Sequence, residues 1–171
     1  MPPIRTERLI LVPFTVEFAQ AALDDRDKLP GLLGLHIPGS WPNPDYVEIL
    51  PMIVEGLRID PSGAERLRLI VHATDQTVIG DIGFIEPPDE DGNMEFGYSI
   101  VPDYRGKGYA TEAATAMIEW AFDQPGVKRV AADCLADNYA SIRVLEKAGM
   151  RQIKPEGDLL RWEKLKRKSN K

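Results

Sequence analysis

The sequence has few residues of the kinds that cross-link a chain or bind a transition metal. Its single cysteine, Cys134, makes an internal disulfide impossible, and its two histidines, His36 and His72, share no metal-ligand spacing with that cysteine. The net charge of −6 argues against the basic stripe that nucleic-acid binding needs. A short basic run at residues 164–168 is interpreted as a solvated end. We therefore expect no metal site and no nucleic-acid partner.

Long apolar runs are also missing. No stretch approaches the roughly 18 apolar residues that a membrane helix needs, and no apolar run behind a basic start marks a signal peptide. Together with the lone cysteine, these absences predict a cytoplasmic protein without a membrane partner. The 171 residues are most simply one domain, residues 1–171, and suffice to bury a core.

Hydrophobic periodicity predicts alternating strands and helices. Strands are predicted at residues 8–13, 67–73, 77–85, 94–101, 129–134 and 159–165. Helices are predicted after Thr15 and at residues 46–57, 110–121 and 139–147, with an irregular apolar segment at residues 28–44. Short turns join the strands between residues 67 and 101, which predicts antiparallel neighbours. The strand at 129–134 follows a helical crossover and should run parallel to the strand at 94–101, so an α+β, or mixed α/β, fold is expected.

A glycine-rich segment, Y-R-G-K-G-Y-A at residues 104–110, lies between a predicted strand and a predicted helix. Gly106 and Gly108 permit a sharp turn and a close approach of the backbone to a ligand. The helix that begins there offers free N–H groups and the positive end of its dipole, which favour an anion. Arg105 and Lys107 add two cations. The segment therefore predicts a pocket for a phosphate or pyrophosphate group.

The same segment admits a second interpretation, the start of a dinucleotide-binding fold. There, Gly106 and Gly108 would form the turn and Asp133 would bind the ribose. Thr111 occupies the third glycine position, however, and antiparallel hairpins precede the segment. Too few residues follow it for the remaining βαβ units, so a dinucleotide-dependent oxidoreductase is a remote alternative. An ATP P-loop fits less well, because neither Ser nor Thr follows Lys107.

Two longer motifs carry a family resemblance. The runs E-F-G-Y-S-I-V-P at residues 95–102 and R-G-K-G-Y-A-T-E-A at residues 105–113 resemble the core of GNAT-superfamily N-acetyltransferases. The runs N-Y-A-S at residues 138–141 and E-K-A-G-M at residues 146–150 resemble the next motif of that family. The opening T-E-R-L at residues 6–9 is most similar to the Rim-type branch, which includes the ribosomal-protein N-terminal acetyltransferases.

The resemblance implies a fold and an activity. The fold would be a twisted, largely antiparallel sheet of about six to seven strands, with one central splayed parallel pair and helices on both faces. The activity would move an acetyl group from acetyl-CoA to an amine, either a protein N-terminus or a small molecule, by direct attack through a tetrahedral intermediate. We expect a monomer or a homodimer. A CoA-binding sensor or partner module with weak catalysis is the alternative.

The resemblance also implies the residues that bind acetyl-CoA. Backbone groups of Ile100 and Val101 would pair with the pantetheine amides, and Asn138 and Ser141 would lie near the thioester. The pyrophosphate would be held at the glycine-rich segment by Arg105, Gly106, Lys107, Gly108, Tyr109, Ala110 and Thr111. Arg143 and Lys147 are further candidate neighbours of the phosphates.

Catalytic candidates are fewer. The tyrosine that often acts as the acid in this superfamily is replaced by Leu145, so the acid role passes to Ser141, which otherwise only positions CoA. Glu95 is the predicted base, acting through water, with Glu156 and bulk water as alternatives and a solvent-facing role open for each carboxylate. Cys134 is interpreted as a buried structural thiol rather than an acetyl carrier.

The acceptor pocket is expected near the irregular segment at residues 28–44. Trp41, Tyr46 and His36 fall in the part of the chain that varies most in this superfamily's acceptor pocket. Ordinary core packing is the alternative for each of these three side chains.

Overall fold

The protein is described by a computed structural model that covers residues 1–168. Eight strands form one sheet in the order β1-β2-β3-β4-β5-β6-β8-β7. They are β1 (Ile4–Arg5), β2 (Leu9–Pro13), β3 (Leu67–His72), β4 (Thr77–Phe84), β5 (Asn93–Ile100), β6 (Arg129–Leu135), β7 (Arg151–Glu156) and β8 (Leu159–Leu165). All neighbours are antiparallel except β5 and β6, which are parallel. The predicted mixed fold is confirmed, with eight strands instead of six or seven.

Three of the five α-helices that the structure describes begin at a capping side chain. The five are α1 (Val16–Asp24), α2 (Leu29–Leu33), α3 (Pro44–Ile59), α4 (Tyr109–Phe122) and α5 (Tyr139–Lys147). Thr15 Oγ1 accepts from the Phe18 amide and starts α1, while Asn43 Oδ1 accepts from the Tyr46 amide at 2.8 Å and starts α3. Within residues 1–168, no helix is both long and apolar enough to cross a membrane.

Two strands were not expected from the sequence, because neither shows a clear period of two. β1 has two residues and pairs with β2, and β7 is rich in charge and carries Pro155. β7 lies at one edge of the sheet, where charge and proline are typical because they oppose pairing with another chain. The short helix α2 likewise lies within the segment expected to be irregular.

Helices cover both faces of the sheet. On β4, the side chain of Asp81 meets Trp41 and Tyr46, on the face covered by α1 and α3. Phe84, three residues later, contacts Trp120 of α4. Because alternate residues of a strand point to opposite faces, α3 and α4 lie on opposite sides of the sheet. α5 packs beside α4.

The parallel pair separates along its length. β5 and β6 are paired only from Asn93 to Glu95, opposite Arg129 to Ala131. β5 continues to Ile100 alongside β4, while β6 continues to Leu135 alongside β8. The second half of β5 therefore has a neighbour on one edge only, and a gap opens between the strands.

Candidate active site

A cavity of about 550 Å³ opens where β5 and β6 separate. Its walls are the end of β5, the loop that follows, the first turn of α4 and the first two turns of α5. Predicted residues in its lining are Ile100, Arg105, Gly106, Gly108, Tyr109, Ala110, Thr111, Asn138 and Ser141. The fold thus brings together two motifs that lie about thirty residues apart in sequence.

The loop before α4 presents its amide groups without partners. Gly106 has φ +75° and Gly108 has φ +84°, the left-handed region that glycine adopts without strain. The first helical hydrogen bond of α4 runs from the Glu112 amide to the Gly108 carbonyl at 3.1 Å. Within residues 1–168, the amide N–H groups of residues 106–111 make no hydrogen bond. They form a row of donors suited to an anion.

An ion pair between Arg8, the residue before β2, and Glu112 of α4 fixes this loop. Arg8 Nε donates to Glu112 Oε1 at 2.8 Å, the Arg8 amide donates to Glu112 Oε2 at 2.9 Å, and Thr6 Oγ1 donates to the same Oε2. Arg8 Nη1 also donates to the Lys107 carbonyl at 2.9 Å. Burial raises the pKa of Glu112, but the hydrogen bonds from Thr6 and Arg8 outweigh it, so that this pKa lies below its ordinary value. Glu112 is therefore a charged anchor for the loop.

Three cations line the cavity: Arg105, Arg143 and Lys147. Arg105 Nε donates to the Ile100 carbonyl at 2.8 Å, which folds its side chain back along the loop. Lys107 does not line the cavity; its Nζ lies 5.6 Å from the centre of the Tyr104 ring. The prediction that Lys107 adds a cation to this pocket is not supported by the position of its side chain.

The edge of β5 that faces the gap belongs to Tyr98 and Ile100. The Val101 amide donates to the Ile79 carbonyl at 2.8 Å, and the Val101 carbonyl accepts from the Tyr104 amide at 3.0 Å. Both polar groups of Val101 are therefore used within the chain, and its predicted pairing with a ligand is not supported. Since backbone groups alternate between the edges of an antiparallel strand, those of Ile100 and Tyr98 point to the gap.

Two hydroxyl groups meet at the inner end of the cavity, Ser141 on α5 and Tyr98 on β5. Asn138 Oδ1 caps α5 by accepting from the Ser141 amide at 3.1 Å, so Asn138 has a structural role as well as a place in the lining. Burial raises the pKa of Tyr98, and the neighbouring Ser141 hydroxyl opposes that rise. Tyr98 Oη is buried and has no hydrogen-bond partner among residues 1–168. Leu145, where a tyrosine is common in the family, is buried in the core.

Glu95 lies outside this cavity. It lines an outer groove on the opposite face, formed with Asp133, Arg129 and Arg161. Burial, followed by the neighbouring Asp133 carboxyl, raises the pKa of Glu95, and the two arginines oppose the rise. Glu95 is still in the paired part of β5, about 13 Å along the strand from Ser99. The structure therefore does not bring the predicted base and Ser141 into one cavity.

The remaining candidates lie away from the cavity. Cys134 is buried on β6, where burial raises the pKa of its thiol, as expected for a structural residue. Glu156 is exposed on β7, with a carboxylate oxygen 3.9 Å from Arg161 Nη1. In the part of the chain that the structure describes, no cluster of three or more His, Cys, Asp or Glu side chains could hold a metal ion.

A second cavity, of about 300 Å³, lies on the face covered by α3. Trp41 and Tyr46, both expected near an acceptor pocket, lie at this place: Tyr46 lines the cavity, and Trp41 is buried behind it, donating from Nε1 to Asp81 Oδ2 at 3.0 Å. Asp81 itself was not singled out in the sequence. The only available signal was an acidic residue within an otherwise apolar strand.

Comparison with known proteins agrees with the architecture. The profile of the acetyltransferase (GNAT) domain family matches residues 8–151. An uncharacterised N-acetyltransferase of Bacillus subtilis, YjdG, is 34% identical over 148 residues, which is 85% of this chain and 88% of that protein.

Solved structures show the same fold. The ribosomal L7/L12 alpha-N-protein acetyltransferase RimL, in complex with coenzyme A, superposes with a TM-score of 0.67 at 16% identity, over 95% of this chain and 97% of that one. The microcin C7 self-immunity acetyltransferase MccE, in complex with acetyl-CoA and AMP, gives 0.62 at 16% identity, over 94% and 93%. At such identities the likeness concerns the fold alone. The family profile and the B. subtilis relative establish more: this chain belongs to the GNAT family of acyl-CoA-dependent acetyltransferases.

Proposed function

We propose that the protein acetylates a primary amine by direct attack of the amine on the thioester of acetyl-CoA, with both substrates bound at once. The observation that supports this most is the cavity at the strand gap. A row of free amides and three cations lies at its outer end, and the hydroxyls of Ser141 and Tyr98 lie at its inner end.

The outer end fits the diphosphate of CoA. The N–H groups of residues 106–111 are free for a ligand, in a loop whose turn depends on two glycines at positive φ. Arg105, Arg143 and Lys147 line the same cavity and supply positive charge. Hydrogen bonds to charged groups contribute about 1.5–3 kcal/mol each, so a few of them suffice for tight binding. The gap-facing amide and carbonyl of Tyr98 and the amide of Ile100 would pair with the pantetheine amides as an added strand does, whereas the Ile100 carbonyl already accepts from Arg105 Nε at 2.8 Å.

The inner end fits the departing sulfur. Attack of the neutral amine forms a C–N bond, and collapse of the tetrahedral intermediate breaks the C–S bond. The thiolate that leaves needs a proton, since a thiol pKa of about 8.5 favours the protonated form near neutral pH. Ser141 would donate that proton, with Tyr98 beside it as a second hydroxyl. A tyrosine from β5 would thus take the place that the family often fills from α5.

Glu95 is assigned a different role from the predicted one. The outer groove is lined by four acids and two arginines, so its net negative charge would attract a cationic acceptor before the acceptor reaches the thioester. The acids are Glu86, Asp89, Glu95 and Asp133. Glu95 lies in the paired part of β5, about 13 Å along the strand from Ser99 and outside both cavities that meet there, so no proton transfer is assigned to it.

The experiment that tests this function measures release of free thiol from acetyl-CoA in the presence of a panel of amines, including peptides with free N-termini and small molecules. Thiol release with formation of the acetylated amine is expected for at least one class. Tight binding of CoA in calorimetry without turnover of any amine would instead favour the sensor or partner module.

A further inference from the structure

The cavity on the α3 face holds a carboxylate in an unusual setting. Asp81, on β4, is 5% exposed and lines this cavity. Trp41 Nε1 at 3.0 Å and Ser99 Oγ at 2.9 Å both donate to the same oxygen, Oδ2. The other oxygen, Oδ1, accepts no hydrogen bond from any of residues 1–168. Asp81 is thus held in one orientation and keeps one oxygen for a ligand.

No cation compensates this carboxylate. Within residues 1–168, the lining of the cavity contains neither lysine, arginine nor histidine, and it includes a second acid, Asp45, at the exposed rim. A buried carboxylate without a cationic partner is costly, because desolvation disfavours its charge. A ligand that carries a positive charge would remove that cost, so the cavity is complementary to a cation.

The rest of the lining favours a compact apolar body behind that cation. The apolar members are Tyr46, Ile49, Leu67, Ile82 and Ile85. At about 300 Å³, the space suits one ring or a branched alkyl group rather than a long polyamine.

The two cavities meet at β5. Tyr98 and Ser99 line both of them, and successive side chains of a strand point to opposite faces. Tyr98 is directed to Ser141 on the CoA side, whereas Ser99 is directed to Asp81 on the α3 side. An amine held at Asp81 is therefore separated from the thioester end of the CoA cavity by the thickness of one strand, beside the gap.

We propose that Asp81 binds the acceptor as a primary ammonium on a compact apolar body and removes its proton before attack. This assignment rests on the proposed function, since it names the acceptor side of the same reaction. Asp81 would contact the substrate and thus be a catalytic residue.

The proton balance is closed by the groups already named. The ammonium transfers one proton to Asp81 Oδ1 and becomes a neutral amine. Released from the ion pair, the amine nitrogen would move past the edge of β5 at the gap to within about 3.5 Å of the thioester carbon, where its lone pair forms the C–N bond. After the C–S bond breaks, the nitrogen loses its second proton, and Ser141 transfers a proton to the thiolate. Asp81 then returns its proton to solvent, so the net products are the amide, free CoA and one proton.

The charge state of Asp81 fits this role. Burial raises the pKa of Asp81 to about 6, against the hydrogen bonds from Ser99 and Trp41, which lower it. Asp81 is therefore a carboxylate near neutral pH and a stronger base than an exposed aspartate. The other titratable groups that line the cavity are Asp45, Tyr46 and Tyr98. Burial raises the pKa of both tyrosines, and the charge of Asp81 adds to the rise at Tyr46, so both hydroxyls stay protonated.

The first test measures binding without turnover. Phenethylamine, as the cationic probe, and 2-phenylethanol, as its neutral counterpart, are titrated into the CoA-bound protein while the NMR signal of the Trp41 indole N–H is followed. Phenethylamine should shift this signal and bind about ten-fold or more tightly than 2-phenylethanol in the wild type. In Asp81→Asn, which keeps the shape and the acceptor oxygen, the preference should vanish. Equal binding of the two probes to the wild type would overturn the proposal.

The second test measures turnover in matched variants. Asp81→Asn should lower kcat/KM by about 100-fold or more and remove the rise of the rate through pH about 6, while CoA affinity stays unchanged. Asp27→Asn, the same chemical change at an exposed side chain after α1 that lines neither cavity, should leave kcat/KM within about two-fold of the wild type. Retention of the wild-type rate by Asp81→Asn would contradict the proposal.

The two tests separate this assignment from the proposed function. A wild-type protein that releases no thiol with any amine would contradict acetyl transfer, while the binding of phenethylamine near Trp41 would still decide whether Asp81 holds a cation. A peptide that begins with phenylalanine, used beside phenethylamine, distinguishes a polypeptide N-terminus from a free amine as the source of the ammonium.

Discussion

Replacing Gly108 with valine should abolish CoA binding while the fold persists. At φ +84° an L-residue costs about 1–2 kcal/mol, and a β-branched residue costs more. An added Cβ would also lie 3.3 Å from Arg8 Nη2, within the group that holds the Lys107 carbonyl. The loop can relieve this strain by rotating to negative φ, which would turn the amides of residues 106–111 away from the cavity.

The loss in affinity follows from the hydrogen bonds that this rotation removes. Two charge-assisted hydrogen bonds, at about 1.5–3 kcal/mol each, give about 3–6 kcal/mol, which weakens the CoA dissociation constant about 10²- to 10⁴-fold. Isothermal titration calorimetry measures this change directly, and a thermal melt reports the fold.

A second glycine provides the matched control. Gly157, in the turn between β7 and β8, has φ +60° with open space where a Cβ would lie, and it does not line the cavity. Gly157→Val should cost comparable stability and leave CoA affinity unchanged. If Gly108→Val bound CoA as the wild type does, the amide row would not be the diphosphate site.

Three other side chains give separate expectations. Ser141→Ala should lower kcat about ten-fold or more with a change of less than about two-fold in CoA affinity, measured by steady-state kinetics and calorimetry; equal losses in both would make Ser141 a binding residue. In denaturant titrations, Glu112→Gln should cost about 1 kcal/mol of unfolding free energy near neutral pH and little at about pH 3. The pKa of Glu112 is lowered in the folded protein, and the stabilisation that this gives is lost as the pH falls through that pKa. For Asp81, whose pKa in the folded protein is raised to about 6, the sign is opposite. The free energy of unfolding is greatest below the unfolded-state pKa of about 3.9 and falls by about 3 kcal/mol as the pH rises through 6. Asp81→Asn should remove this dependence, and a flat wild-type profile would disprove it.

The sequence predicted most of the fold because its signals are local. Periodicity located α4 and α5, Thr15 marks where α1 begins, and the short turns between β3, β4 and β5 dictate antiparallel pairing. The edge strands β1 and β7 were not predicted. β1 has only two residues, and the charged residues of β7 obscure the alternation of apolar and polar positions that marks a strand.

The site was predictable only where one segment supplies it. The glycine-rich loop and the turn at Asn138 are contiguous motifs, and they reach one cavity as expected. Whether the backbone groups of Val101 and Tyr98 face β4 or the gap depends on the register between β4 and β5, and no motif encodes that register. Asp81 acquires its setting from Trp41, forty residues earlier in the chain, so no local pattern could reveal it.

The short pairing of β5 with β6 has a consequence for kinetics. The cavity at the strand gap and the Asp81 cavity open on opposite sides of the sheet and share only Tyr98 and Ser99. With CoA and the acceptor bound as proposed, each substrate would enter by its own opening, and neither would have to bind first. Such an arrangement permits random-order entry, and it lets either spent product escape without crossing the path of the next incoming partner.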